Sequence, residues 1–132
     1  MSDVAENLRQ AIISDERVCA IVGNRVHQAH VPESSKEPYI WYGRETSDSL
    51  RTLDGIGGPF SHYFNVEAVS PSLDQSQKLA EYIRERLDNQ RVIGTVSFKG
   101  VFVEEHTDEY IPRGIYSDEG LKVSALHVQV FP

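Results

Sequence analysis

One switch of period governs what this chain can become. Phe60, His62, Phe64, Val66 and Ala68 fall on one side of an alternating run, and Ser61, Tyr63, Asn65 and Glu67 on the other. A period of two predicts a strand with one face in a core. Ser70-Pro71-Ser72 then breaks the strand and offers Ser72 as a helix N-cap. Beyond it the period becomes helical. Leu79, Ala80, Ile83 and Leu87 form one stripe on a run ending at Asp88, with Lys78, Glu81, Arg84 and Glu85 mostly outside. A half-buried strand feeding an amphipathic helix calls for a helix packed on a sheet.

The rest of the chain extends that plan. Val4, Leu8, Ala11 and Ile12 have the spacing of one helix face, with Ser2 or Asp3 as the cap. Ser14-Asp15 ends this helix and opens a second short one, which stops at Gly23-Asn24. Arg25–Ala29 reads as a short strand, Pro32–Pro38 as a polar loop, and the aromatic Pro38–Glu45 run as another strand. Leu53–Pro59 holds three glycines and predicts the mobile tip of a long hairpin. Thr95–Phe98, a turn at Lys99-Gly100 and Val101–Glu105 read as strand, turn, strand. A final strand, Leu121–Phe131, carries Val123, Leu126, Val128 and Val130. The order α, α, β, β, β, α, β, β, β predicts an α+β fold: a mainly antiparallel sheet of about five or six strands, with two main helices packed on one face.

At 132 residues, with no linker or internal repeat, the chain is expected to form one domain over residues 1–132. Its formal net charge of −7 disfavours phosphate gripping as a main task, because counterion release on cationic side chains supplies most of that affinity. The first residues lack a basic and apolar leader, and no apolar stretch reaches the length of a membrane span. A soluble protein made and kept in the cytosol is the expectation. Cys19 is the single cysteine, so no intramolecular disulfide can form, and its apolar neighbours predict a small buried hydrophobe.

Candidate chemistry is sparse. His27 and His30 are three apart, a spacing that sends strand side chains to opposite faces. Glu104, His106 and Asp108 would share one face of a regular strand and form a weak cation site. Surface histidines and a solvated, charge-protected strand exit are the simpler readings. A small metal-dependent hydrolase using His27, His30, Glu104, His106 and Asp108 stands as an alternative, and an anti-host or regulatory binding module as another. There is no Gly-x-Ser-x-Gly elbow, and the loop Asp54–Gly58 lacks the Gly-Lys-Ser/Thr ending of a phosphate loop. Tyr39, Trp41 and Tyr42 have few basic neighbours and read as core and sheet-face residues.

The order of these signals, from Val4 to Phe131, resembles the phage tail completion family, which is related to the tail terminators of long-tailed phages. Its carriers are Val22-Gly23-Asn24-Arg25-Val26, Pro32-Glu33, Pro38-Tyr39-Ile40-Trp41-Tyr42 and Thr52-Leu53-Asp54-Gly55. Phe64-Asn65-Val66-Glu67-Ala68 follows, then Leu79-Ala80-Glu81-Tyr82-Ile83-Arg84, Asp108-Glu109-Tyr110-Ile111-Pro112 and the Gly-Ile-Tyr step at Gly114–Tyr116. Two departures touch the C-terminal edge: Asn89-Gln90 where a glycine commonly ends the helix, and a Val130-Phe131-Pro132 ending.

The resemblance implies a structural virion protein, of a phage or prophage, at the head-proximal end of a tail. It would stop tube growth and offer the head-joining surface, as a ring usually of six subunits. A head-side neck adaptor is the nearest alternative. The implied partners are further copies of itself, the tail tube protein and the head–tail connector, with no sequence-specific nucleic acid and no membrane. The resemblance implies no catalytic residue, cofactor or metal, and places the protein in virions assembled in a bacterial cytoplasm. A ring needs two different complementary patches on each subunit. The candidates are the hairpin tip with Leu53, Asp54 and Ile56, and the later loop with Tyr110, Ile111, Ile115 and Tyr116, where apolar side chains fall on expected loops.

Overall fold

In a computed structural model of the chain, the structure describes residues 4–28, 37–52, 55–111 and 121–132; for 45–52, 55–60 and 109–111 it describes the strands and not the side chains. The elements are α1 (Val4–Ile13), α2 (Glu16–Val22), β1 (Val26–Gln28), β2 (Tyr39–Thr52), β3 (Gly55–Ser70), α3 (Leu73–Leu87), β4 (Gln90–Ile93), β5 (Val96–Ile111) and β6 (Leu121–Phe131). The strands form one six-stranded sheet in the order β1-β2-β3-β6-β5-β4. β1 runs parallel to β2 and every other pairing is antiparallel, so the sheet is mixed. The α+β expectation holds: α1 and α3 are the two longer helices, and the expected short second helix is α2.

Local chemistry explains the helices. The Asp15 carboxylate accepts from the backbone N–H groups of Arg17 and Val18, which starts α2, and Gly23 ends it at φ +61°. Ser72 accepts from the N–H of Gln75 and starts α3, as the sequence predicts. The buried faces of α1 (Leu8, Ile12), α2 (Val18, Val22) and α3 (Leu79, Ile83, Leu87) join Ile40, Tyr42, Phe64, Val66, Leu126, Val128 and Val130 in one core. These sheet residues share one alternation face, so the helices cover one side of the sheet. Each fully buried Leu or Ile there contributes about 1.5–3 kcal/mol of apolar transfer. At the end of the sheet where β6 begins, a smaller cluster of Val69, Leu121 and Val123, with Tyr39 against it, is also buried.

Two expectations are corrected. The turn between β4 and β5 lies at Gly94, with φ +61°, and not at Lys99-Gly100. Gly100 instead stands in β5 opposite Phe131, where an added Cβ would meet the Phe102 ring at 3.0 Å. A glycine there admits an aromatic ring over the backbone; it does not turn the chain. Cys19 is exposed. The buried positions of α2 are Val18 and Val22, four apart, and one further residue rotates Cys19 by about 100° out of that stripe.

Candidate functional site

The expected cation site does not assemble. A register shift between Val103 and Glu105 breaks the alternation at Glu104, so Glu104 loses its place in line with His106 and Asp108. His106 and Asp108 do meet, with Nε2 and Oδ1 3.5 Å apart. The Asp108 carboxylate is already engaged: Ser124 Oγ donates to it at 2.7 Å and Gln77 Nε2 at 3.1 Å. The Ser124 hydroxyl, and then the Gln77 amide, hold the Asp108 carboxyl below its ordinary range, with partial burial opposing and His106 adding a smaller share. Buried Ser76 and Ser124 hydroxyl oxygens lie 3.3 Å apart, so this group is a polar seam joining α3 to β5 and β6.

His27 pairs across from Trp41 in the sheet and its ring lies 6.0 Å from that of Tyr39. His30 lies outside the described residues. Among the described residues no group of three or more His, Cys, Asp or Glu side chains is placed to hold a metal ion. A small recess of about 80 Å³, lined by Arg84, Val103, Glu104, Glu105 and His106, is too small for an organic substrate.

The more informative geometry is at the two ends of the strands. β3 pairs with β6 from His62 opposite Val130 to Ser70 opposite Lys122. Among the described residues, 55–61 of β3 run on beyond that pairing with β2 as their partner strand, in which Arg51 faces Ile56 and Thr52 faces Gly55, and the Gln129 side chain of β6 reaches Ser61. The β2–β3 hairpin therefore extends as a two-stranded arm past the end of β6. At the opposite end, Tyr110 faces Lys122 and Ile111 faces Leu121, where β5 leaves for β6. Ile56, Tyr110 and Ile111 are placed by these registers; Leu53, Asp54, Ile115 and Tyr116 lie outside the described residues. Strand direction thus sets Ile56 at one end of the sheet and Tyr110 and Ile111 at the other.

The sheet face away from the helices carries an aromatic pair that sequence reasoning did not single out. Phe102 and Phe131 pack edge to face with centroids 5.9 Å apart, and Phe102 is 40% exposed. Their i and j positions on neighbouring strands could not be aligned before the register of β5 was known. Among the described residues, no helix is long and apolar enough to cross a membrane.

Comparison with known proteins gives these features a context. Residues 6–127 match the family described as "Tail completion protein gp17". A search of curated proteins finds no match. Among solved structures, a chain of the "Virion of native gene transfer agent (GTA) particle" is similar in fold, with a TM-score of 0.67 and 17% identity over 99% of this chain and 98% of that one. The chain belongs to the tail completion protein gp17 family.

Proposed function

We propose that this protein ends growth of the tail tube at its head-proximal end and supplies the surface on which the head connector docks, acting as a ring of six subunits. The observation that carries this reading is the family match over residues 6–127. It acts in the virion, at the head–tail junction, after assembly in the bacterial cytoplasm. Its partners are further copies of itself, the tail tube protein and the connector.

Two features support the reading. A cyclic ring uses a heterologous contact, with different patches on the two sides of each subunit. The hairpin tip (Leu53, Asp54, Ile56) and the later segment (Tyr110, Ile111, Ile115, Tyr116) are these patches in our account, and the strand registers put Ile56 and Tyr110 at opposite ends of the sheet. The charge of −7 also suits a channel that DNA must cross without being held, because a basic lumen would retain phosphates.

Size-exclusion chromatography with light scattering, over a concentration series and with added tail tubes, tests the proposal. A ring-sized species, formed alone or on tube ends, is the expected result. A persistent monomer that leaves tubes unbound contradicts it, and binding to isolated connector without binding to tubes assigns the protein to the head side of the neck.

A further inference from the structure

Among the described residues, the two edge strands of the sheet are short, and each leaves most of its neighbour uncovered. β1 has three residues and β4 has four. β1 covers β2 only from Ile40 to Tyr42, so among the described residues β2 has no outer partner strand from Gly43 to Thr52. β4 covers β5 only up to Val101, so from Val103 to Ile111 β5 likewise has no outer partner strand. The first amide of that stretch is taken up locally, because Val103 N–H donates to Asp88 Oδ1 at 2.9 Å. Long open edges present rows of backbone donors and acceptors that favour pairing with another strand, and short edge strands are one way to blunt them. Among the described residues the blunting stops partway along on both sides.

We infer that the open stretch of β5 in one subunit pairs antiparallel with the open stretch of β2 in the next, so that the sheets of the ring join edge to edge. The inference rests on the ring proposed above and adds to the hairpin-tip and later-loop patches named there a separate contact along the strand edges. Direction permits it: β2 and β5 are both antiparallel-linked into one sheet through β3 and β6, and they run in opposite senses. Subunits related by rotation about a ring axis keep those senses, so β5 meets the next β2 antiparallel. The stagger also fits. The open part of β2 lies toward the hairpin tip and that of β5 toward the opposite end. Joining them shifts each subunit along its strands, and sheets that close into a cylinder have tilted, staggered strands. Register shifts in β2 at Arg44/Thr46, Asp48/Ser49 and Ser49/Arg51 add the local coiling such closure uses.

Charge selects the partner. Val103–Ile111 holds Glu104, Glu105, Asp108 and Glu109 and no Lys or Arg, whereas Gly43–Thr52 holds Arg44 and Arg51 beside Glu45 and Asp48. Two β5 edges facing each other would set four carboxylates against four, which disfavours a closed two-fold dimer. A β5 edge against a β2 edge meets both basic residues. A second copy of this chain is therefore the occupant that both the strand senses and the charges fit.

Two measurements test the inference. Amide hydrogen exchange of residues 43–52 and 103–111 is compared in the free chain and in the ring assembled on tail tubes, and both segments are expected to slow at least tenfold in the ring. Protection of one segment alone, or of neither, in an assembled ring overturns edge pairing while leaving the ring intact. Failure of the chain to associate on tubes overturns both. In the second, chains with one cysteine in 46–52 are mixed with chains with one cysteine in 104–110, all carrying Cys19→Ser. Disulfides are expected between chains in pairs whose residue numbers have a constant sum, as antiparallel pairing requires. Pairs with a constant difference, or no bridges in the ring, overturn it.

Discussion

Asp88 Oδ1 accepts a hydrogen bond from the backbone N–H of Val103 at 2.9 Å, at the point where β5 runs on past the end of β4. One residue on, the N–H of Asn89, in a left-handed conformation at φ 57°, donates to the carbonyl of Val101 at 2.7 Å. The C-terminal end of α3 is thus pinned to the strand whose outer edge has no partner strand among the described residues. The helix layer and the proposed assembly edge are coupled through a carboxylate and a backbone amide.

Asp88→Ala leaves that amide without its charged acceptor. A hydrogen bond to a charged group contributes about 1.5–3 kcal/mol when buried and less near solvent. The expected loss, read as a lowered midpoint in urea unfolding, is about 1–2 kcal/mol. Asp88→Asn keeps an acceptor oxygen and is expected to lose less than half as much.

Leu126 and Phe102 separate core from surface. Leu126 is fully buried on the central strand β6, under the helices, and Leu126→Ala is expected to cost about 2–5 kcal/mol. Phe102 is 40% exposed on the face away from the helices, with an edge-to-face partner in Phe131, so Phe102→Ala should cost no more than about 1 kcal/mol. Equal losses in thermal or urea unfolding would contradict the placement of the core on the helix side.

Gly43 lies beneath the ring of Trp41, two residues earlier on the same face of β2. A Cβ on Gly43 would come within 2.8 Å of Trp41 Cη2, so Gly43→Ala must displace the ring. The expected cost is about 1–3 kcal/mol, with a shift in the fluorescence of the single tryptophan. Adding Trp41→Phe removes the far part of that ring and should restore most of the loss.

His62 supplies the pH dependence. Burial first, and then the charge of Arg44, hold its folded pKa below the ordinary histidine value. The unfolded chain takes up this proton near pH 6.5, before the folded chain does. The unfolded state therefore binds more protons in the interval between the two values, and stability rises with pH there. Stability from this group is fully present above about pH 7 and is lost as pH falls through the ordinary value toward the folded one. Urea midpoints at pH 7.5 and 5 should show the loss, and His62→Gln should flatten it in that range.

Much of the frame was legible because its signals are local. Ser72 caps α3, Asp15 and Gly23 bracket α2, and Phe64, Val66 and Ala68 mark the buried face of β3. The errors fall where packing overrides local preference. The turn expected at Lys99-Gly100 lies at Gly94, and Gly100 stands within β5 beneath the Phe102 ring. An alternating pattern could not show that β5 slips its register at Glu104, so the expected Glu104, His106 and Asp108 alignment fails. The parallel pairing of β1 with β2 depends on a crossover that the sequence does not orient. The open edges of β2 and β5 were invisible for the same reason: they are properties of strand order.

Electron microscopy of particles from a phage whose copy of this gene is deleted tests the central claim most directly. DNA-filled heads beside unjoined tails, with tails overlong or of irregular length, are the predicted result. Normally joined virions with tails of wild-type length would contradict the assignment of this chain to tail completion.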